Sequence, residues 1–159
     1  MASGQTLDYN IAALFKRPPH RHGPARYNRR LSAEKGRLVG NQSVRLHRWD
    51  EIALEKVTEM ISRKLVTGER EMVAQVYLKK GALVPMHSHE SEQMTYVLQG
   101  ALKFLISGEE ITVREGEVLH IPSWIEHQAE ALDDTFELDL FSPIRQDWLD
   151  HTDTYFHNR

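Results

Sequence analysis

Short segments rich in Val, Ile, Leu and Tyr recur about every 8–12 residues from Trp49 onward, a spacing typical of all-β sandwiches and barrels. Turn-forming pairs such as Lys80-Gly81 and Gln99-Gly100 separate these segments. From Trp49 onward, helices are expected only at residues 49–55 and 146–151. The predicted strands are residues 60–66, 72–78, 94–98, 101–106, 110–113, 118–121, 127–131 and 136–141. The sequence therefore predicts one all-β domain.

The N-terminal part of the chain differs from this pattern in charge and in composition. Residues 1–48 carry ten Lys and Arg against two acids, whereas the remaining residues carry ten against 21. Pro18, Pro19 and Gly23 interrupt any periodic pattern there. We interpret residues 1–45 as a flexible basic N-terminal arm and residues 46–159 as a single barrel domain with a short C-terminal tail.

Composition limits the partners and the ligands that this chain can use. No stretch approaches the roughly 20 apolar residues of a membrane span, and the basic arm is interpreted as solvated, so neither membrane nor nucleic acid is expected as a partner. The chain has no cysteine, so it has neither disulfides nor thiolate ligands. Because this composition suits a reducing compartment, a cytoplasmic location is expected.

Three histidines and one glutamine have the composition of a metal site. His87 and His89 are one residue apart, and in a strand such residues project from the same side. Gln93 follows closely and His127 lies in a later strand, and short strands can bring distant ligands to one point. The expected cofactor is one divalent transition metal, and these nitrogen and oxygen ligands leave Ni, Zn, Fe, Mn and Cu open.

The spacing of these residues extends over two motifs. The first is G-x5-H-x-H-x3-Q-x6-G, from Gly81 to Gly100, and the second is G-x5-P-x4-H, from Gly116 to His127. They resemble the two motifs of the cupin superfamily over about residues 50–147. The resemblance implies a double-stranded β-helix, the jelly-roll or RmlC-like cupin barrel, with the metal ligands converging inside it. Cupins commonly dimerise, so the resemblance also implies a homodimer.

The chain departs from the usual cupin motif at one position with chemical consequences. Gln93 stands where most cupins have glutamate, so the ligand set is neutral and a divalent cation keeps its full charge. A neutral ligand set favours a Lewis acid that binds anionic oxygen over a metal that cycles through a ferric state. Trp124 and Ala131 also replace the usual Gly and Asn.

The last predicted strand places two acids on one face. Alternation puts Glu137, Asp139 and Phe141 on the face opposite to Phe136, Leu138 and Leu140. From the pattern alone, an edge strand with both acids in water is one reading. In a cupin barrel, one face of this strand lines the mouth above the metal, where a carboxylate suits proton transfer.

The stretches PMHSHESEQMTYVLQG and DLFSPIRQDW are similar to the KdgF-like cupins, which convert the cyclic 4,5-unsaturated uronates released by pectin and alginate lyases to a linear keto form. The resemblance implies that Asp139 transfers the proton, that Arg145 binds the substrate carboxylate bidentately, and that Phe141 forms an apolar wall. Tyr77, Met86, Tyr96, Phe104 and Trp124 are further candidates for the pocket wall, although such side chains more often belong to the core.

Three hypotheses about function follow. The first is a metal-dependent enzyme that opens and ketonises a small acidic sugar such as a 4,5-unsaturated uronate. The second is a non-catalytic cupin that binds a sugar, an anion or another carboxylate ligand. The third is a metal-dependent dioxygenase. Turnover of an unsaturated uronate separates the first from the second, and oxygen consumption identifies the third.

Overall fold

The structure is a computed structural model that describes residues 37–39 and 42–156, with side chains from Val44 onward. It divides the chain into two compact units, Met1–Arg45 and Leu46–Arg159. In the first unit, strands β1 (Arg37–Val39) and β2 (Gln42–Val44) form an antiparallel pair. The remainder of the predicted N-terminal arm lies outside the described residues.

In the second unit, the described residues form ten strands in two antiparallel sheets. The strands are β3 (Glu55–Lys56), β4 (Ile61–Thr67), β5 (Met72–Leu78), β6 (Leu83–His87), β7 (Glu92–Gln99), β8 (Ala101–Ile106), β9 (Glu109–Arg114), β10 (Val118–Ile121), β11 (His127–Ala131) and β12 (Thr135–Ser142). One sheet has the order β10-β7-β12-β5-β4-β3, and the other has the order β6-β11-β8-β9. The predicted all-β jelly roll is confirmed.

The alternation of side chains explains why these segments form strands around one core. In β5 every second residue, beginning with Met72, is buried, as expected for a strand with one face inside the barrel. Val97 of the first sheet and Leu102 and Phe104 of the second belong to the same buried cluster. The alternation of apolar residues in the sequence therefore corresponds to one buried core that both sheets share.

The helix predicted at residues 49–55 is wrong, the C-terminal helix is shorter than predicted, and strands β3 and β6 were missed. Residues 49–52 form a turn and a bend, and the short strand β3 follows in place of the predicted helix at 49–55. The C-terminal helix α1 (Gln146–Leu149) is present but shorter than expected. Strand β6 has no regular alternation of burial and contains Pro85, so its sequence does not match a half-buried strand.

The connection from β6 to β7 positions the candidate site. Strand β6 belongs to the four-stranded sheet and β7 to the six-stranded sheet, so the chain crosses between sheets within residues 88–91. His87 ends β6, whereas His89 lies in the crossing and does not share a strand with it, contrary to expectation. No helix among the described residues is long and apolar enough to cross a membrane.

Candidate metal centre and its surroundings

Three imidazoles meet inside the barrel. His87 on β6 and His127 on β11 are register partners, and their ring centroids are 4.4 Å apart. His89, in the crossing, places its ring centroid 5.1 Å from that of His127. One nitrogen from each ring lies within 4.8 Å of the other two. The fold therefore brings together three histidines that come from two strands and a loop.

The hydrogen bonds of these rings define which nitrogen faces the cluster. Each Nδ1 lies 2.8 Å from a backbone carbonyl oxygen, that of Pro85 for His87, of Ser91 for His89 and of Ile125 for His127. A carbonyl oxygen can only accept, so each Nδ1 carries the hydrogen and each Nε2 keeps its lone pair. The Nε2 atom of His127 is buried without a hydrogen-bond partner. Fixing the tautomer through the second ring nitrogen is a common feature of metal-binding histidines.

Gln93 turns an oxygen toward the same point. Its Oε1 lies 3.1 Å from Nε2 of His89, and both atoms are acceptors in this tautomer. Its Nε2 donates to Oγ1 of Thr95 and, at 3.0 Å, to Oδ1 of Asp139, which sets the orientation of the amide. Two facing acceptors repel unless a cation lies between them. This donor set of three imidazole nitrogens and one amide oxygen fits a divalent transition metal.

Burial keeps the three imidazoles neutral. It lowers the pKa of His87 to about 3, helped by the neighbouring His127, and the pKa of His89 to about 4. Burial also lowers the pKa of His127. Near neutral pH the rings are therefore unprotonated, which is the form that binds a metal.

Two acids of β12 point into the barrel. Glu137 and Asp139 are each 5% exposed, and β12 lies between β7 and β5 in the six-stranded sheet. The edge strand with acids in water is therefore not observed. Burial raises the pKa of Asp139 to about 6, against the lowering effect of hydrogen bonds from Thr95 and Gln93. Burial and the charge of Asp139 raise the pKa of Glu137 well above its ordinary value.

Arg145 borders the same cavity but already has partners. Its Nε and Nη2 donate to the two carboxylate oxygens of Asp147 at 2.9 and 2.6 Å, which occupies that side of the guanidinium. Nη2 also donates to the hydroxyl of Tyr155 at 3.0 Å. Nη1 is buried and has no hydrogen-bond partner. Nη1 is therefore the nitrogen of this guanidinium that is left for a ligand among the described residues, and bidentate binding of a substrate carboxylate by Arg145 stays a prediction.

Aromatic side chains form the wall of the cavity. Phe141 is buried and packs edge-on against His89, with ring centroids 5.7 Å apart. Of the five weaker candidates for the wall, only Phe104 is among the lining residues. Two residues that were not predicted, Trp148 and Tyr155, line the cavity from the C-terminal segment. Trp148 ends the DLFSPIRQDW stretch that resembles the KdgF-like cupins, whereas the only signal for Tyr155 was an aromatic side chain outside both motifs.

A double antiparallel sheet that holds three histidines within its barrel is characteristic of cupins, and the comparisons with known proteins agree. The cupin domain family matches residues 74–142. The pectin degradation protein KdgF of Dickeya dadantii is 30% identical over 103 residues, which are 63% of this chain and 94% of that protein. This chain belongs to the cupin superfamily and, within it, to the KdgF-like cupins.

Solved structures support the same assignment. The structure of KdgF from Halomonas sp. is 35% identical with a TM-score of 0.59, and the match covers 63% of this chain and 95% of that one. An RmlC-like cupin from Shewanella frigidimarina matches with a TM-score of 0.62 at 23% identity, over 67% of this chain and 97% of that one. The second likeness concerns the fold alone.

Proposed function

We propose that this protein is a metal-dependent enzyme that opens and ketonises a 4,5-unsaturated uronate or a closely related acidic sugar. The observation that carries the proposal is the hydrogen bond from Gln93 to Asp139, because it places a buried carboxylate directly beside the three-histidine cluster. Membership of the KdgF-like cupins, with a relative named for pectin degradation, supports this substrate class.

In this proposal His87, His89, His127 and Gln93 hold a divalent transition metal. When bound, such a cation supplies Lewis-acid polarisation of a substrate oxygen. Gln93 has a second task, because its amide group connects the cluster to Asp139 and keeps that carboxylate in place. Thr95 donates to the same Asp139 oxygen, so two neighbours on β7 fix its orientation.

Asp139 is the proposed proton carrier. Opening the ring transfers the proton of the C1 hydroxyl to the Asp139 carboxylate and breaks the bond from C1 to the ring oxygen, which leaves an aldehyde at C1 and an enolate at C5. Adding that proton at C4 converts the enolate to the ketone, so the overall reaction is an isomerisation that needs no further reactant. A single carboxylate that accepts the proton and then donates it serves both steps.

Arg145 and Phe141 are proposed to place the substrate. A cation in this cavity attracts the uronate carboxylate, and Nη1 of Arg145 is the nitrogen of that guanidinium without a hydrogen-bond partner. The ring of Phe141 packs against His89, and its centroid lies 5.5 Å from the guanidinium carbon of Arg145. This apolar wall keeps water from the faces that the sugar does not occupy.

The experiment that tests the proposal follows an unsaturated galacturonate by proton NMR in D2O. We expect the linear keto form to appear faster with protein than in buffer, with one deuterium incorporated at C4. A rate equal to that in buffer, with the sugar bound, would identify a non-catalytic binding cupin. Oxygen consumption during loss of the substrate would instead identify a dioxygenase.

A further inference from the structure

The C-terminal segment after α1 returns to the cavity and is held there by a buried ion pair. Nη1 of Arg63 on β4 lies 3.1 Å from Oδ2 of Asp153, and both side chains are almost fully buried. Arg63 also donates through Nε and Nη2 to the carboxylate of Glu55. The ion pair fixes the 3-10 turn Thr154–Phe156 that follows Asp153 at once.

This anchoring places Tyr155 directly on the candidate metal centre. Its ring stacks on His87, with centroids 4.1 Å apart and an angle of 17° between the planes. Its hydroxyl oxygen accepts hydrogen bonds from Nη2 of Arg145 at 3.0 Å and from Nε1 of Trp148 at 2.8 Å. Both lone pairs are therefore used, and the structure gives no acceptor for the phenolic hydrogen among the residues that it describes.

Two hydrogen-bond donors without acceptors thus lie side by side. One is the hydroxyl of Tyr155 and the other is Nη1 of Arg145, which belongs to the same guanidinium that Tyr155 contacts. Unpaired donors away from water are unfavourable, so native sites that contain them commonly bind an acceptor there. The acceptor that complements a cationic donor and a neutral one is an anionic oxygen pair.

We propose that Tyr155, together with Nη1 of Arg145, forms a carboxylate subsite beside the metal centre. The ligand class is a small sugar acid, and this assignment rests on the proposed function for the identity of the sugar. Tyr155 contacts the substrate in this assignment, so the C-terminal segment is part of the binding site. If Tyr155 served only to pack against His87, a phenylalanine would perform the same task.

The test compares Tyr155→Phe with the wild-type full chain, both loaded with one divalent metal. Isothermal titration calorimetry measures the Kd for D-galacturonate, a saturated hexuronate, and for its methyl ester. Tyr77→Phe is the matched control, because its hydroxyl bonds to Gln75 and its ring stacks on Phe136, and it does not line the cavity. The metal content of every variant is measured in parallel.

We expect Tyr155→Phe to weaken galacturonate binding about tenfold or more, as for a lost hydrogen bond to a charged group, and Tyr77→Phe to leave it unchanged. The preference for the acid over the ester should fall in Tyr155→Phe at constant metal content. The proposal is overturned by a change of less than about threefold, by equal losses for both ligands, by loss of metal, or by wild-type protein that does not bind galacturonate. Binding by the wild type without turnover of the unsaturated sugar would reject the proposed enzyme function and leave this subsite standing.

Discussion

Replacing Asp139 with asparagine should remove proton transfer and keep the shape and the accepted hydrogen bonds of this side chain. The asparagine oxygen can still accept from Gln93 and Thr95, which now donate to Oδ1 of Asp139, so the cluster keeps its geometry. The substitution removes the negative charge and the ability to exchange a proton. Removing a general acid–base group typically costs about 10²–10⁴ in rate, or about 2.7–5.5 kcal/mol of transition-state stabilisation. We expect kcat to fall by this amount while KM changes little.

Asp139→Asn should lower the activity but raise the stability of the folded protein. The pKa of Asp139 is raised to about 6 from an ordinary value of 3.8, so the folded state holds this proton more tightly than the unfolded state. Stability is therefore lost as the pH rises through this interval, and at pH 7 the ionised, buried carboxylate is unfavourable. In metal-free protein, Asp139→Asn is expected to raise the free energy of unfolding by roughly 1–3 kcal/mol.

The assay follows the loss of conjugated absorbance of the unsaturated uronate, and chemical denaturation gives the stability. Glu137→Gln is the comparison, because Glu137 is equally buried on the same strand, whereas Gln93 and Thr95 donate their hydrogen bonds to Asp139. Full activity in Asp139→Asn would refute the proton-transfer role. A greater loss in Glu137→Gln than in Asp139→Asn would move that role to Glu137.

Three further predictions concern the turn, the histidines and the guanidinium. Gly100→Ala should destabilise the fold by about 2 kcal/mol or more in urea unfolding, because φ is +86° and the new Cβ would lie 2.5 Å from the carbonyl oxygen of Asp134. Gly108→Ala, at φ +84° with nothing within 4 Å, should cost only about 1 kcal/mol, and equal losses would contradict the steric reason. In metal-free protein that carries Asp139→Asn and Glu137→Gln, which removes the two carboxyls whose raised pKa acts in the opposite direction, the melting temperature should fall as the pH drops from 6.5 towards 4, because the pKa of His87 is about 3 and that of His89 about 4, so the unfolded state takes up more protons in that range. A melting temperature that is constant across this range would contradict the burial of the neutral rings. Arg145→Lys should raise KM for the uronate about tenfold with a smaller effect on kcat. The reason is that an ammonium cannot hydrogen-bond to Asp147 and Tyr155 and also bind a carboxylate. A fall confined to kcat would argue against a binding role for Arg145.

Most strands could be predicted from the sequence because apolar and polar residues alternate in them, as the burial of their side chains does in the structure. Strands β5, β8, β10 and β11 begin and end at the predicted residues, since a turn signal bounds each of them. His127 was correctly placed in a strand, although the bulge that follows it on β11 and its pairing with His87 depend on long-range register. Local patterns carry no information about such register, so the convergence of the histidines was predicted only through the resemblance to cupins.

Strand β12 shows the limit of reasoning from hydrophobicity. A hydrophobic pattern places Leu138 and Leu140 inside, but in the structure Leu140 is 43% exposed and Asp139 is buried. The inner face of this strand lines a polar site, and its two acids remain inside because neighbours on β7 donate to one of them. The function of the cavity, and not the general preference for apolar cores, decides which face is buried.

Tyr155 could not be predicted for a different reason. Its position depends on the ion pair between Arg63 and Asp153, which are far apart in the sequence and belong to neither motif. Charged residues are usually solvated, so nothing marks these two as a buried anchor. The predicted homodimer, the cytoplasmic location and the flexible arm stay predictions.

The most direct test of a metal-dependent sugar-acid enzyme is a titration of activity with metal. Protein stripped with a chelator is mixed with increasing amounts of one divalent cation, such as Ni²⁺ or Mn²⁺, and its turnover of the unsaturated uronate is measured. We predict a rate at the buffer level without metal, a linear rise, and a plateau at one cation per chain, with no rise in His127→Ala. Equal turnover in stripped and loaded wild-type protein, or no turnover at any metal ratio, would contradict the account.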